Sequence, residues 1–276
     1  MDMCNLALPA PGTYRTLEVT GRRDGHLFHD QDCVAEEVPV AFEYNGISHA
    51  VMMATPDDLE DFALGFSLSE GIVESAQQVH DLEVSRTAQG CTLHIRIAAS
   101  QFARLKEMRR NLTGRTGCGL CGTESLAQAV RIPRRQKQHV RFGASAVATA
   151  VQNLRARQML LSVTGATHAA AWCDPSGSIV TLREDVGRHN ALDKLVGALA
   201  HARTDAATGF VAVTSRASYE MVQKTACAGI GTLAAVSGVT GLAVEVAQQA
   251  GLTLLGFARG NNLTAYTHPE QFEWKT

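Results

Sequence analysis

Along the first third of the chain, short runs of residues alternate between apolar and polar. Val38 to Tyr44 and Ile47 to Ala54 flank Asn45-Gly46, a pair that tolerates the positive φ angles of a type I′ turn, so a β-hairpin is predicted there. The period then lengthens. Thr55-Pro-Asp-Asp58 reads as an N-cap, a proline at the first helical position and an acidic first turn, ahead of Leu59, Phe62, Ala63 and Phe66 at i, i+3, i+4 and i+7. These positions predict an amphipathic helix that stops at Gly71. A second hairpin is expected from Asp81 to Ser85 and Cys91 to Ile97 around Gln89-Gly90, which makes residues 1–110 a small α+β lobe.

From about residue 155 the pattern becomes strand, helix, strand, helix. Met159 to Thr164 and Ser178 to Leu182 read as strands, and Leu192, Leu195, Val196 and Leu199 mark one face of a helix. Strand Phe210 to Thr214, helix Tyr219 to Ala228, strand Thr232 to Val236, helix Leu242 to Ala250 and strand Leu252 to Phe257 follow, with Thr240 as an N-cap and Gly251 as a C-terminal stop. Parallel crossovers and a sheet covered on both faces are therefore expected in an α/β domain over 145–276. A cysteine loop, a helix and a basic linker fill 111–144.

Composition narrows the function classes. A chain of 276 residues with a net charge of −2 is not built as a general nucleic-acid binder, and the basic run Arg131 to Arg141 reads as a solvated linker. The seven cysteines, at 4, 33, 91, 118, 121, 173 and 227, include one close pair, which fits a reducing compartment and a cytoplasmic protein. The N-terminus lacks a basic segment followed by an apolar one. The most apolar stretch, Thr232 to Ala247, is broken by Gly238, Gly241 and Glu245, so neither export nor membrane spanning is expected.

The close pair is Cys118-Gly-Leu-Cys121, set in the glycine-rich stretch Gly114 to Gly122. Two thiols at this spacing can share a metal, form a disulfide or present one nucleophilic sulfur beside a second. Arg109, Arg110 and Arg115 precede the pair and the capping-box match Ser125-Leu-Ala-Gln128 follows it, a setting that favours thiolate over thiol. A structural zinc site would be expected to bring a second CxxC, which does not occur, and a zinc deaminase carries a proline directly before its cysteine pair, where Gly117 stands here, so no resident metal is expected. A thioredoxin-like dithiol would follow a buried strand, and Arg109 to Gly117 is too polar for one. An inert pair of thiols is the bland alternative.

A second concentration of chemistry is Arg183 to Lys194, where Glu184, Asp185, Arg188, His189, Asn190, Asp193 and Lys194 exceed what a helix start needs. In an open α/β sheet such strand ends form the ligand crevice; the plain alternative is a solvated face with internal ion pairs. A metal held by His189 and Asp193 with Glu184 or His168 is opposed by the interleaved Arg188 and Lys194. Thr214-Ser-Arg-Ala-Ser218, leading to Lys224, and Gly256-Phe-Ala-Arg-Gly-Asn-Asn262 couple hydroxyls or amides with an arginine, which suits phosphates and polar heterocycles. Ser218 serves an ordinary helix cap equally well. The Gly229-Ile-Gly231 stretch resembles a dinucleotide fingerprint, but it follows a helix and precedes a strand, the wrong context.

Six segments in this order, Asp61 to Ile72, Cys118 to Gly122, Thr164 to Ala170, Glu184 to Lys194, Ser215 to Lys224 and Leu255 to Arg259, resemble the formate dehydrogenase accessory sulfurtransferase family, FdhD. The chain departs from that pattern at Gly165-Ala166 and at Thr214-Ser-Arg216. The resemblance implies a three-layer, cytidine-deaminase-like α/β domain without the deaminase zinc, joined to the smaller N-terminal lobe. It implies a cytosolic sulfurtransferase, usually a homodimer, that takes sulfur from a cysteine desulfurase and passes it to the molybdenum (or tungsten) bis(guanine dinucleotide) cofactor before insertion into formate dehydrogenase. The family's persulfide-carrying cysteine falls on Cys118, with Cys121 as helper thiol. Its cofactor-binding stretch falls on Phe257, Ala258, Arg259, Gly260, Asn261 and Asn262, and Arg188, His189, Lys194, Arg216, Ser218 and Lys224 are expected to complete the site. Two rivals remain: a non-covalent chaperone for the cofactor, and a metal-dependent hydrolase using His168, Glu184 and His189.

Overall fold

In a computed structural model, the described residues are 9–112, 133 and 140–274. Cys118, Cys121, Arg115, the Ser125 capping box and most of the basic run Arg131 to Arg141 lie outside them, as do the side chains of Arg109 and Arg110.

Two strands that the patterning does not assign come first. Strands β1 (Tyr14–Arg23) and β2 (His26–Ala35) form an antiparallel ribbon around Asp24-Gly25, whose φ angles of 49° and 85° are those of a type I′ turn. A four-stranded sheet follows, in the order β4-β3-β6-β5, from β3 (Val38–Tyr44), β4 (Ile47–Ala54), β5 (Val79–Thr87) and β6 (Gly90–Ile97). Both expected hairpins form, and Asn45 and Gly46 take φ angles of 47° and 81°. Strands β3 and β6 join them in parallel.

Helix α1 (Leu59–Ser69) starts four residues after the expected N-cap. Thr55 is used elsewhere: its N–H donates to Asp185 Oδ2, its hydroxyl accepts from Val186 N–H, and its carbonyl accepts from Lys194. Asp58 takes the N-cap position without a side-chain bond to the helix. Packing replaces the cap, because Phe62 and Phe66 bury their rings against Phe42, each worth roughly 2 kcal/mol. Helix α2 (Ala99–Leu112) closes this core through Leu105.

The larger sheet has the order β12-β11-β10-β9-β7-β8, built from β7 (His168–Cys173), β8 (Ile179–Asp185), β9 (Phe210–Val213), β10 (Thr232–Ala235), β11 (Thr253–Arg259) and β12 (Asn262–Ala265). Strands β9, β10 and β11 are parallel, while β7 runs antiparallel to both its neighbours and β12 antiparallel to β11. The sheet is therefore mixed. Helix α3 (Ala144–Arg157), unassigned from the pattern, packs Val147, Ala150 and Leu154 on one face; α5 (Arg188–His201), α6 (Tyr219–Cys227) and α7 (Gly241–Ala250) cover the other. This is the three-layer α/β arrangement that the resemblance implies.

Met159–Thr164, expected as a strand, is helix α4. Its cap comes from far along the chain: Glu184 accepts from the N–H groups of Leu160 and Leu161 and from the Thr167 hydroxyl. A local reading of a β-branched, apolar run has no access to that carboxylate.

Candidate functional site

Strands β8 to β11, with β7 the exception, all point the same way, so their carboxyl ends share one edge of the sheet, and α5, α6 and α7 begin there. Three helix N-termini bring unpaired N–H groups and positive dipole ends to that edge. Only α7 has a side-chain cap, Thr240 accepting from Ala243 N–H; Gly187 and Ser218 occupy the N-caps of α5 and α6 without one. Ser218 holds the capping position, yet its Oγ lies 3.5 Å from His189 Nε2.

His189 Nε2 lies 2.6 Å from Glu220 Oε2. That hydrogen bond holds the Glu220 carboxyl below its ordinary range. Arg188 is half-buried beside them, with its Nε lacking a hydrogen-bond partner among the described residues. Burial, then the charges of Arg188 and His189, push His168 below the usual histidine value. Glu220, absent from the residues expected from sequence, is signalled there only by its place in the first turn of α6.

The end of β11 is irregular. Phe257 has φ of 53°, a region that bulky L-residues rarely adopt, and its side chain is exposed. Its N–H donates to Ser237, and its ring sits so close over Gly238 that a Cβ there would come within 3.1 Å of it. The register slips between Gly256 and Arg259, and Arg259 Nε donates to the carbonyl of Val236. Gly260, Asn261 and Asn262 are exposed, as is Arg216 just past the end of β9, two strands away. Ala258 faces the other way: its side chain is buried in the core with Leu255, leaving only its backbone for a ligand.

Two expected cofactor residues are turned inward. Lys194 is fully buried, with Nζ 2.7 Å from Asp185 and 3.0 Å from the Thr55 carbonyl. Lys224 is buried between Asp193, Glu70 and Ser69. Burial works against its charge, but Asp193 and Glu70 outweigh it and raise its pKa. Both ammonium groups are neutralised by carboxylates, so neither faces the exposed edge. Much of the charged run Arg183 to Lys194 joins the two sheets instead: Asn190 donates to the Met53 carbonyl and Arg183 to Asp61. In the same way both Glu184 oxygens are occupied at the start of α4, away from any shared ligation with His168 and His189.

Cys173 is fully buried and its pKa is pushed up to about 12 by that burial, which makes it chemically inert. No helix among the described residues is long and apolar enough to cross a membrane. A cavity of about 510 Å³ lies on the small sheet beside Glu43, Asp81, His94 and Arg96. Two pairs of its charges are joined, His94 with Glu43 and Arg96 with Asp81, while Glu83 and His80 also line it.

The chain is 55% identical over 263 residues to a protein of Cupriavidus necator named sulfur carrier protein FdhD, covering 95% of this chain and 91% of that one. It is also 55% identical over 259 residues to the protein of the same name from Variovorax paradoxus, covering 94% and 93%. A crystal structure described as that of a formate dehydrogenase accessory protein from Desulfotalea psychrophila superposes with a TM-score of 0.72 at 22% identity, covering 94% of this chain and 99% of the other, and shares the fold. Residues 35–273 match the family model described as FdhD/NarQ, and the chain belongs to that family.

Proposed function

We propose that this protein is a sulfur carrier in formate dehydrogenase maturation that moves persulfide sulfur from a cysteine desulfurase to the molybdenum bis(guanine dinucleotide) cofactor, its substrate. The observation that carries the reading is identity above half, across nearly the whole chain, to proteins named as sulfur carriers. The carboxyl edge of the large sheet supports it: exposed Phe257 offers a stacking face for a guanine, while Arg188, Arg216, Arg259 and two N-termini without side-chain caps suit phosphates. His189 and Ser218, with the backbone from Phe257 to Asn262, complete the pocket.

In the transfer step a Cys118 thiolate attacks the terminal sulfur of the donor's persulfide. The donor's S–S bond breaks, its thiolate leaves, and Cys118 becomes the persulfide; Cys121 assists release by exchange. The reaction belongs to the cytoplasm, with the desulfurase and formate dehydrogenase as successive partners and the carrier as a homodimer.

Intact-mass measurement after incubation with a cysteine desulfurase and cysteine tests the reading. One reductant-labile sulfur should appear on the wild type and be absent from Cys118→Ala. If no sulfur is ever added while guanine nucleotide still binds, the chain is a non-covalent chaperone instead.

A further inference from the structure

We propose that the β1–β2 ribbon is a docking arm for a second copy of this chain, the two arms packing face to face and antiparallel about a twofold axis. The inference rests on the homodimer part of the reading above and leaves sulfur carriage untouched if it fails.

The ribbon forms a sheet of its own, paired in unbroken register from Tyr14–Ala35 to Arg23–His26. An isolated two-stranded hairpin is marginal in water, yet this one is built carefully. It has the type I′ turn at Asp24-Gly25, and Phe28 covers Gly21 on the opposite strand, with the Arg23 guanidinium 4.9 Å above the ring. Residues directly opposite in an antiparallel pair share a face, so the register sorts the side chains. Leu17, Val19 and Phe28 fall on one face, and Leu17 keeps 41% of its surface exposed. A ribbon built this way with an apolar stripe open to water lacks a covering layer.

The charges on that same face say what covers it. Arg23 and His26 sit together at the tip, while Asp32 and Asp30 lie opposite Leu17 and Val19 nearer the base. None of these four belongs to an ion pair among the described residues; Asp30 and Asp32 accept only from the backbone N–H that follows each of them. Arg15, opposite Val34 at the base of the same face, is paired with Glu36, so Asp30 and Asp32 leave the base acidic while the tip is cationic, and the face is complementary to itself when turned end for end. With the Val19 pair of one copy on the Phe28 pair of the other, Asp32 of each copy meets the tip cations of its mate, and Leu17, Val19 and Phe28 from both fill the layer between. The bases stay outside the contact, and β2 also packs against α4 of its own chain. The patch is small for a specific interface, so the association should depend on concentration.

Charge exchange tests this on the full-length protein by sedimentation equilibrium at low and high concentration. Wild type is expected to dimerise reversibly. Arg23→Asp and Asp32→Arg should each weaken self-association at least tenfold, because each places like charges in contact. An equimolar mixture of the two should recover the dimer: the carboxylate introduced at position 23 of one variant then meets the guanidinium introduced at position 32 of the other, and the second contact keeps its native Asp32 and Arg23. Recovery on mixing also shows that neither variant has simply failed to fold. A wild type that stays monomeric overturns the inference, and so does a dimer that both variants keep. Failure of the mixture to re-associate overturns the antiparallel pairing.

Discussion

Gly65 of α1 lies directly against the backbone carbonyl of Asp193 in α5, and a Cβ at Gly65 would overlap that carbonyl. The contact is reciprocal, because Gly197 of α5 meets the carbonyl of Asp61 in the same way. The two helices cross with their backbones touching, and side chains close the joint on either side of the crossing: Arg183 and His201 on Asp61, Ser69 and Lys224 on Asp193.

Gly65→Ala should therefore destabilise the protein by about 3 kcal/mol, since the obstacle is backbone and not a side chain that can rotate away. Gly197→Ala should do the same. Urea unfolding gives both values, and the double variant should lose less than the sum, because either methyl alone forces the helices apart. Near-neutral effects would mean that the helices separate freely.

Asp193 and Lys224 form a buried ion pair, and removing one partner strands the other's charge away from water. Lys224→Met alone should lose about 3 to 5 kcal/mol. Lys224→Met combined with Asp193→Leu should regain much of that stability in thermal melts. If the double variant is as unstable as the single one, the pair is not the source of the loss.

Stability should fall with acid in part through His168. Burial, then Arg188 and His189, lower its folded-state pKa below the ordinary 6.5. Above 6.5 the ring is neutral folded or unfolded and adds nothing; below it the unfolded chain binds a proton that the folded chain refuses. Stability then drops until the pH passes the lower folded-state value. His168→Gln should flatten the denaturation profile across that window, and an unchanged slope would assign the acid sensitivity elsewhere.

At Phe257 backbone strain and ligand binding should separate. Phe257→Asn places a residue that tolerates positive φ at the same position, so the melting temperature should hold or rise slightly. Guanine nucleotide affinity, read by calorimetry, should fall roughly tenfold with the loss of the stacking face. A variant that binds as well as wild type would remove Phe257 from the site.

What is legible in the chain depends on how local its cause is. The Asn45-Gly46 turn, the apolar face of α1 and the caps at Thr240 and Gly251 are set by neighbouring residues, and all are readable. The β1–β2 ribbon carries a local signal too, Asp24-Gly25 between alternating runs, although the patterning leaves it unassigned. Helix α4 carries none, because its cap is Glu184, twenty-four residues beyond Leu160 in sequence. Lys194 and Lys224 look like anion ligands because sequence shows charge and hides burial. The positive φ of Phe257 has no counterpart in composition or spacing at all.

Residues 59–69 answer to two audiences. Leu59, Phe62, Ala63 and Phe66 belong to the core of the small sheet, while Asp61, Gly65 and Ser69, interleaved with them, belong to the crossing with α5. No stretch of α1 can be rewritten for one side without disturbing the other, and α2, which the small sheet has to itself among the described residues, adds only Leu105 and half-buried Phe102 to its core. The chain should therefore melt in one transition: cutting it between the two sheets would yield two fragments that each lack half of what makes them fold, not two working modules.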